Sequence, residues 1–186
     1  MRRVGVLGSI IIFLVLLGCT QPKTFLKTSK ETMKLTSPAF EHNGKIPSEY
    51  TCDGKNISPP LNIIDVPAPA KSLVLLMDDP DIPDAAKKSF NVEVWDHWVV
   101  FNIPPETITI AEEKNPPGIL GRNTGGNNAY GGPCPPDREH RYFFKLYALD
   151  TRLNLPEGST KTAVEREMGG HIMAQATLMG RYERQK

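Results

Sequence analysis

The residues that could do chemistry gather in three places. The stretch Tyr130-Gly131-Gly132-Pro133-Cys134-Pro135-Pro136-Asp137-Arg138-Glu139-His140-Arg141-Tyr142 puts an imidazole and a phenol two positions apart behind a stiff loop. Its glycines and prolines cannot continue a helix, because proline fixes φ and removes a backbone donor. From 140 to 149 aromatic and polar residues alternate, the pattern of a strand. Strand residues two apart face one side, so His140 and Tyr142 are expected to point together into whatever the loop roofs over. The second place is Asp79-Pro80-Asp81, which ends the most apolar run after the N-terminal segment. The third is His97, within Trp95-Asp96-His97-Trp98 of another apolar segment.

Two imidazoles and a phenol can donate to a phosphate or a carboxylate, and free backbone N–H groups near Gly131 and Gly132 would add to them. An aspartate beside an imidazole orients it and favours its protonated, donating form. The expectation is a hollow that holds a small anion, a task that needs no nucleophile. Other chemistries are less well served. His97, His140 and Asp79 suit zinc by ligand type, but no His-x3-His or Cys-x2-Cys spacing accompanies them, and no metal or cofactor is expected. No Gly-x-Ser-x-Gly turn or Gly-Lys-Ser/Thr loop is present. A hydrolase with His97 or His140 as base is the weaker reading. Taken singly, each residue also has a plain structural use. An aspartate at a strand end forms turns, a histidine in an apolar strand is satisfied in the core, and Trp95 and Trp98 pack there.

The elements that must position these groups are mostly strands. Residues 72–79 read as a central strand, a continuous apolar run capped by acids. A second central strand is expected at 92–102, with others at 33–40, 61–64, 140–149 and 176–182. Residues 46–50 should be short and extended, and 84–91 a short helical turn. Residues 106–128 carry little pattern, and an unpatterned loop of that length is more often functional than filler. Ser159 or Thr160 could cap one clear helix running to Met168, and one helical turn could resume at 171–174. Seven to nine strands without regular βα alternation predict a mostly β fold and argue against a doubly wound sheet.

The 186 residues suit one domain, and 17 prolines favour strands joined by stiff loops over a helical bundle. The near balance of 22 basic and 21 acidic side chains gives no basic footprint, so no nucleic-acid partner is expected. The chain opens as an export signal: Arg2 and Arg3, an apolar run from 4 to 17, then Leu16-Leu17-Gly18-Cys19. Those last four residues resemble the lipobox of bacterial lipoproteins, where the signal is cut before a lipid-bearing cysteine; an ordinary secretory signal or a single-span anchor are the other readings. The expected organisation is a signal at 1–18, a flexible tether at 19–32 and a domain at 33–186. It would be anchored through Cys19 on the extracytoplasmic side of a bacterial membrane, the outer one if the cell has two. In an exported protein Cys52 and Cys134 form an even pair, either a disulfide tying the 50–54 turn to the Gly-Pro loop or two buried thiols.

Several separated motifs then agree in order. Asp79-Pro80-Asp81, Trp95-x-His97-Trp98 and Gly131-Gly132-Pro133-Cys134-Pro135-Pro136-x3-His140-Arg141-Tyr142 resemble the phosphatidylethanolamine-binding protein family, in its bacterial Raf-kinase-inhibitor-like branch. The resemblance runs from about 35 to 182. It implies a β-sandwich of two packed antiparallel sheets with peripheral short helices and a small cavity for phosphate, acetate or a phospholipid head group. By motif position, Asp79, His97, His140 and Tyr142 would line that cavity, with Gly132 and Pro133 on its rim. Pro80, Asp81 and Trp95 would shape it. Some members inhibit kinases or proteases, which gives the alternative of an inhibitor acting on a protein partner through surface loops, above all 106–128. Here Asp137-Arg138-Glu139 stands where the family often carries a glycine, adding charge near the cavity mouth. Ile63 stands where relatives often have tryptophan.

Overall fold

The computed structural model describes Met1 and residues 32–185. The expected signal beyond Met1, Cys19 and all but the last residue of the expected tether therefore lie outside the described residues. Among the described residues no helix is long and apolar enough to cross a membrane.

In chain order the strands are β1 (Lys34–Thr36), β2 (Gly44–Lys45), β3 (Leu61–Ile64), β4 (Ser72–Asp79), β5 (Trp95–Ile103), β6 (Thr109–Ile110), β7 (Ile119–Leu120), β8 (His140–Leu149) and β9 (Ile172–Tyr182). Two short helices, α1 (Asp84–Phe90) and α2 (Lys161–Glu167), lie among them. One sheet runs β2-β9-β8-β4-β5-β7 and the other β1-β3-β6. Every strand pair is antiparallel except β2 with β9.

The apolar run of β4 has a physical reason: it is covered on both faces. Leu73, Leu75 and Met77 face the core shared with the small sheet, beside Leu35, Leu61, Trp98 and Phe144. Val74 and Leu76 face the other way, onto Val99, Phe101, Val164 and Met168 beneath α2. The half-alternating β8 sends Tyr142, Phe144, Leu146 and Ala148 into the first core. Thr160 caps α2 by accepting from the Ala163 N–H at 3.3 Å. Asn91, left-handed at φ 53°, ends α1.

Several expectations are corrected. Residues 48–50 form a 3-10 turn, because Pro47 and Ser48 carbonyls accept the Tyr50 and Thr51 N–H groups. The first strand is only Lys34–Thr36. Residues 172–174 are strand, since Ile172 and Ala174 pair with Leu149 and Ala148 at the far end of β8. The long 106–128 segment contributes β6 and β7, whose partners β3 and β5 are distant in sequence.

Two features of backbone and bonding set up the site. Opposite β4, strand β5 slips register: Met77 faces Trp98, but Asp78 faces Asp96. His97 is the extra residue of this bulge. It turns toward the first core's side while Asp96 crosses to the other, where Lys161 reaches it at 3.1 Å. The Cys52–Cys134 disulfide forms, with Cα atoms 5.4 Å apart. The Cys52 N–H also donates to the Pro133 carbonyl at 3.0 Å, clamping the Gly-Pro loop to the turn before it.

Candidate functional site

A hollow of about 360 Å³ opens where β4 ends and β5 and β8 begin. Asp79, His97 and His140 reach it from those three strands, Gly131 and Gly132 from the loop. Ile82, Pro83 and Ala86 add an apolar lip, and Trp95 lines one side with Phe90 edge-on to it at 4.8 Å. Distant stretches of chain therefore converge as the sequence suggests, but their hydrogen bonding differs from expectation.

His140 is fully buried and held from both sides. Its Nδ1 lies 2.7 Å from Asp79 Oδ2, and its Nε2 lies 2.8 Å from Asp137 Oδ1. Where both carboxyls are ionised, the ring donates in both contacts, since carboxylate oxygens accept. Asp79 also accepts the Asp81 N–H at 2.7 Å, and burial pushes its carboxyl above the usual range despite these donors. The hydrogen bond from His140 holds Asp137 below that range.

His97 plays the opposite part. Its Nδ1 lies 2.7 Å from the Gly131 carbonyl, and the Gly131 N–H donates back to the His97 carbonyl at 2.9 Å. Burial lowers its pKa to about 4, so the ring is neutral near pH 7. With its proton on Nδ1, the ring offers the hollow an acceptor at Nε2. The expected second imidazole donor is thus corrected. So are the expected free backbone donors: the Gly131 N–H is spent on His97, and the Gly132 N–H donates to Asn56 Oδ1 at 2.8 Å.

The remaining expected residues divide. Tyr142 is fully buried behind the lining, its ring 5.3 Å from that of His97 and edge-on to it. Its hydroxyl has no hydrogen-bond partner, and burial raises its pKa. Pro133 is buried behind the loop, so the rim passes through Gly132, Pro135 and Pro136 instead. Pro80 and Asp81 stay off the lining. Asp81 takes a two-pronged contact from Arg141, at 2.7 and 2.8 Å, which pins the Asp79-Pro80-Asp81 turn to β8. Asn123 and Asn127, which the sequence reading did not single out, line the far wall, where Asn123 Oδ1 accepts the Asn127 N–H at 3.0 Å. Asp137 was visible only as added charge near the mouth; its contact with His140 had no signal in the spacing. Among the described residues no group of three or more histidine, cysteine or acidic side chains is arranged to hold a metal.

The family model for phosphatidylethanolamine-binding protein matches residues 36–183. The chain belongs to the phosphatidylethanolamine-binding protein family. Its relatives include a UPF0098 protein of Methanothermobacter thermautotrophicus, 49% identical over 158 residues, with 82% of this chain and 99% of that one covered. A UPF0098 protein of Chlamydia trachomatis is 47% identical over 152 residues, covering 82% and 99%. Among solved structures, a phosphatidylethanolamine-binding protein homologue from Chlamydia trachomatis superposes with a TM-score of 0.79 at 46% identity, covering 83% of this chain and 99% of that one. E. coli YbcL, described as a member of the mammalian family, superposes at 0.74 with 29% identity, covering 83% and 100%. The two-sheet fold with short helices agrees with these family members.

Proposed function

We propose that this family member is a non-catalytic binding protein whose hollow takes a small anion, a phosphate or a phosphate-bearing head group. We further propose that a lipid on Cys19 holds it to the outer side of a bacterial membrane. The observation that carries the first reading is the contact at His140. Asp79 holds Nδ1 of a ring that lines the hollow, and a carboxylate oxygen, that of Asp137 past the Pro135-Pro136 edge, rests 2.8 Å from Nε2. A position that suits a carboxylate oxygen also suits a phosphate oxygen. The lining supports binding over chemistry: it holds no serine, threonine or lysine, and the sulfur of Cys134 is committed to the disulfide.

Calorimetric titration with inorganic phosphate and with phosphoethanolamine tests the pocket. Saturable binding is expected in the wild type. His140→Ala should weaken it at least about tenfold, the loss of one charge-assisted hydrogen bond. No saturation by either ligand, or equal binding by the variant, would reject the reading. Mass spectrometry of the protein from a bacterial membrane fraction tests the anchor, by whether diacylglycerol is found on Cys19.

A further inference from the structure

We propose that His97 Nε2 selects the ligand of the hollow: the oxyanion it takes carries a hydroxyl proton, as inorganic phosphate or a phosphomonoester does, and a fully deprotonated ion of the same shape, such as sulfate, is refused. This rests on the anion reading above and names the kind of anion. Geometry fixes the tautomer. Nδ1 lies 2.7 Å from the Gly131 carbonyl oxygen, which only accepts, so the proton of the neutral ring sits there and Nε2 keeps a lone pair. The Gly131 N–H donates back to the His97 carbonyl at 2.9 Å, and the Tyr142 ring stands edge-on at 5.3 Å, so the imidazole is held in place. Burial opposes a second proton.

Nε2 is also reachable. His97 is 6% exposed, and among the described residues nothing pairs with its Nε2. The buried side-chain atoms there that are both sealed off and unpartnered are Trp98 Nε1 and the Tyr142 hydroxyl. Nε2 is not one of them, so it opens onto the hollow that the ring lines. Its polar neighbours on the lining are already engaged. Asp79 faces His140 and accepts the Asp81 N–H. The Asn123 amide is used at both ends, Nδ2 on the Ala129 carbonyl and Oδ1 on the Asn127 N–H, each at 3.0 Å. An oxyanion in the hollow therefore meets a lone pair at His97. A ligand oxygen that carries hydrogen turns the contact into an O–H···N bond. One without it sets lone pair against lone pair and leaves a buried nitrogen unsatisfied. A site built to receive a donor rejects the analogue that lacks one. A phosphodiester, which has no hydroxyl proton, enters only by bringing an N–H or O–H on another part of the molecule.

The test is calorimetric titration of the full chain with inorganic phosphate, methyl phosphate and sulfate at mildly acidic pH, where the first two keep a hydroxyl proton and sulfate has none. At least one of the phosphates should bind at least about tenfold more tightly than sulfate, and the tighter of the two names the free ion or the monoester as the source. His97→Phe keeps a flat ring but no nitrogen, and it should lose that preference without weakening sulfate. A second measurement needs no variant: the His97 Nε2 resonance of the wild type should start as that of a bare nitrogen and move as phosphate saturates. Sulfate binding as tightly as both phosphates, or an Nε2 already protonated before ligand is added, would overturn the selection and leave the pocket reading in place. A preference retained in folded His97→Phe would assign it to another group and overturn this role. Absence of saturation by all three anions would remove the pocket reading and this one together.

Discussion

Two histidines of one site are set to opposite tasks by their neighbours. His140 stands between two carboxylates, whereas His97 gives its one proton to a backbone carbonyl in a dry setting. The consequence for His97 has a definite sign. Its pKa in the fold is about 4, against about 6.5 for an exposed histidine. The unfolded chain therefore binds the extra proton first. The contribution to stability is complete above about pH 6.5 and is lost as pH falls toward 4, to a limit of about 3 kcal/mol. Urea midpoints at neutral pH and at about pH 4.5 should separate less in His97→Gln than in wild type. An identical separation would mean that the ring titrates normally in the fold.

At the level of elements, the Gly-Pro loop depends on close approach at a single glycine. A Cβ on Gly132 would lie 2.6 Å from the Tyr50 carbonyl oxygen and 2.9 Å from the Thr51 Cα, both backbone and both on the turn to which Cys134 is bonded. A Cβ on Gly131 would meet nothing nearer than 3.4 Å. Gly132→Ala should therefore lower stability by about 1–3 kcal/mol, and Gly131→Ala by much less. Thermal unfolding of the two variants side by side checks this. Strands β4 and β8 were legible to the residue because their patterns are local: an unbroken apolar run for one, alternation for the other. The strand at 172–174 was not, because its conformation is imposed by β8 across the sheet. Nor were β6 and β7, two-residue segments that exist only through distant partners. The site was legible to the same degree. The convergence of Asp79, His97 and His140 follows from strand ends and loop stiffness. The spent glycine donors, the neutral His97 and the buried Tyr142 depend on tertiary partners that no spacing records.

Across the whole domain, adjacent residues of β4 serve opposite faces of the six-stranded sheet. Asp79 turns to the hollow. Asp78, its side chain 2% exposed, meets Lys145 at 2.7 Å and Lys161 at 2.9 Å beneath α2. Lys161 binds Asp96 as well and is itself 10% exposed in its side chain, so this buried pairing resists the loss of either charge. Lys161→Met should cost on the order of 3 kcal/mol, because Asp96 and part of Asp78 are left uncompensated. It should leave phosphate affinity unchanged, since the substitution lies across the sheet from His140. Chemical denaturation and calorimetry together read both effects.

The bond between Cys52 and Cys134 spans 82 positions and closes a covalent ring through β3, β4, β5 and the whole 106–128 segment. A protease that nicks the chain anywhere within that ring yields two fragments still joined through sulfur. Cleaved protein will migrate as one species on a gel until a reductant is added, and the pieces can refold as partners that never part.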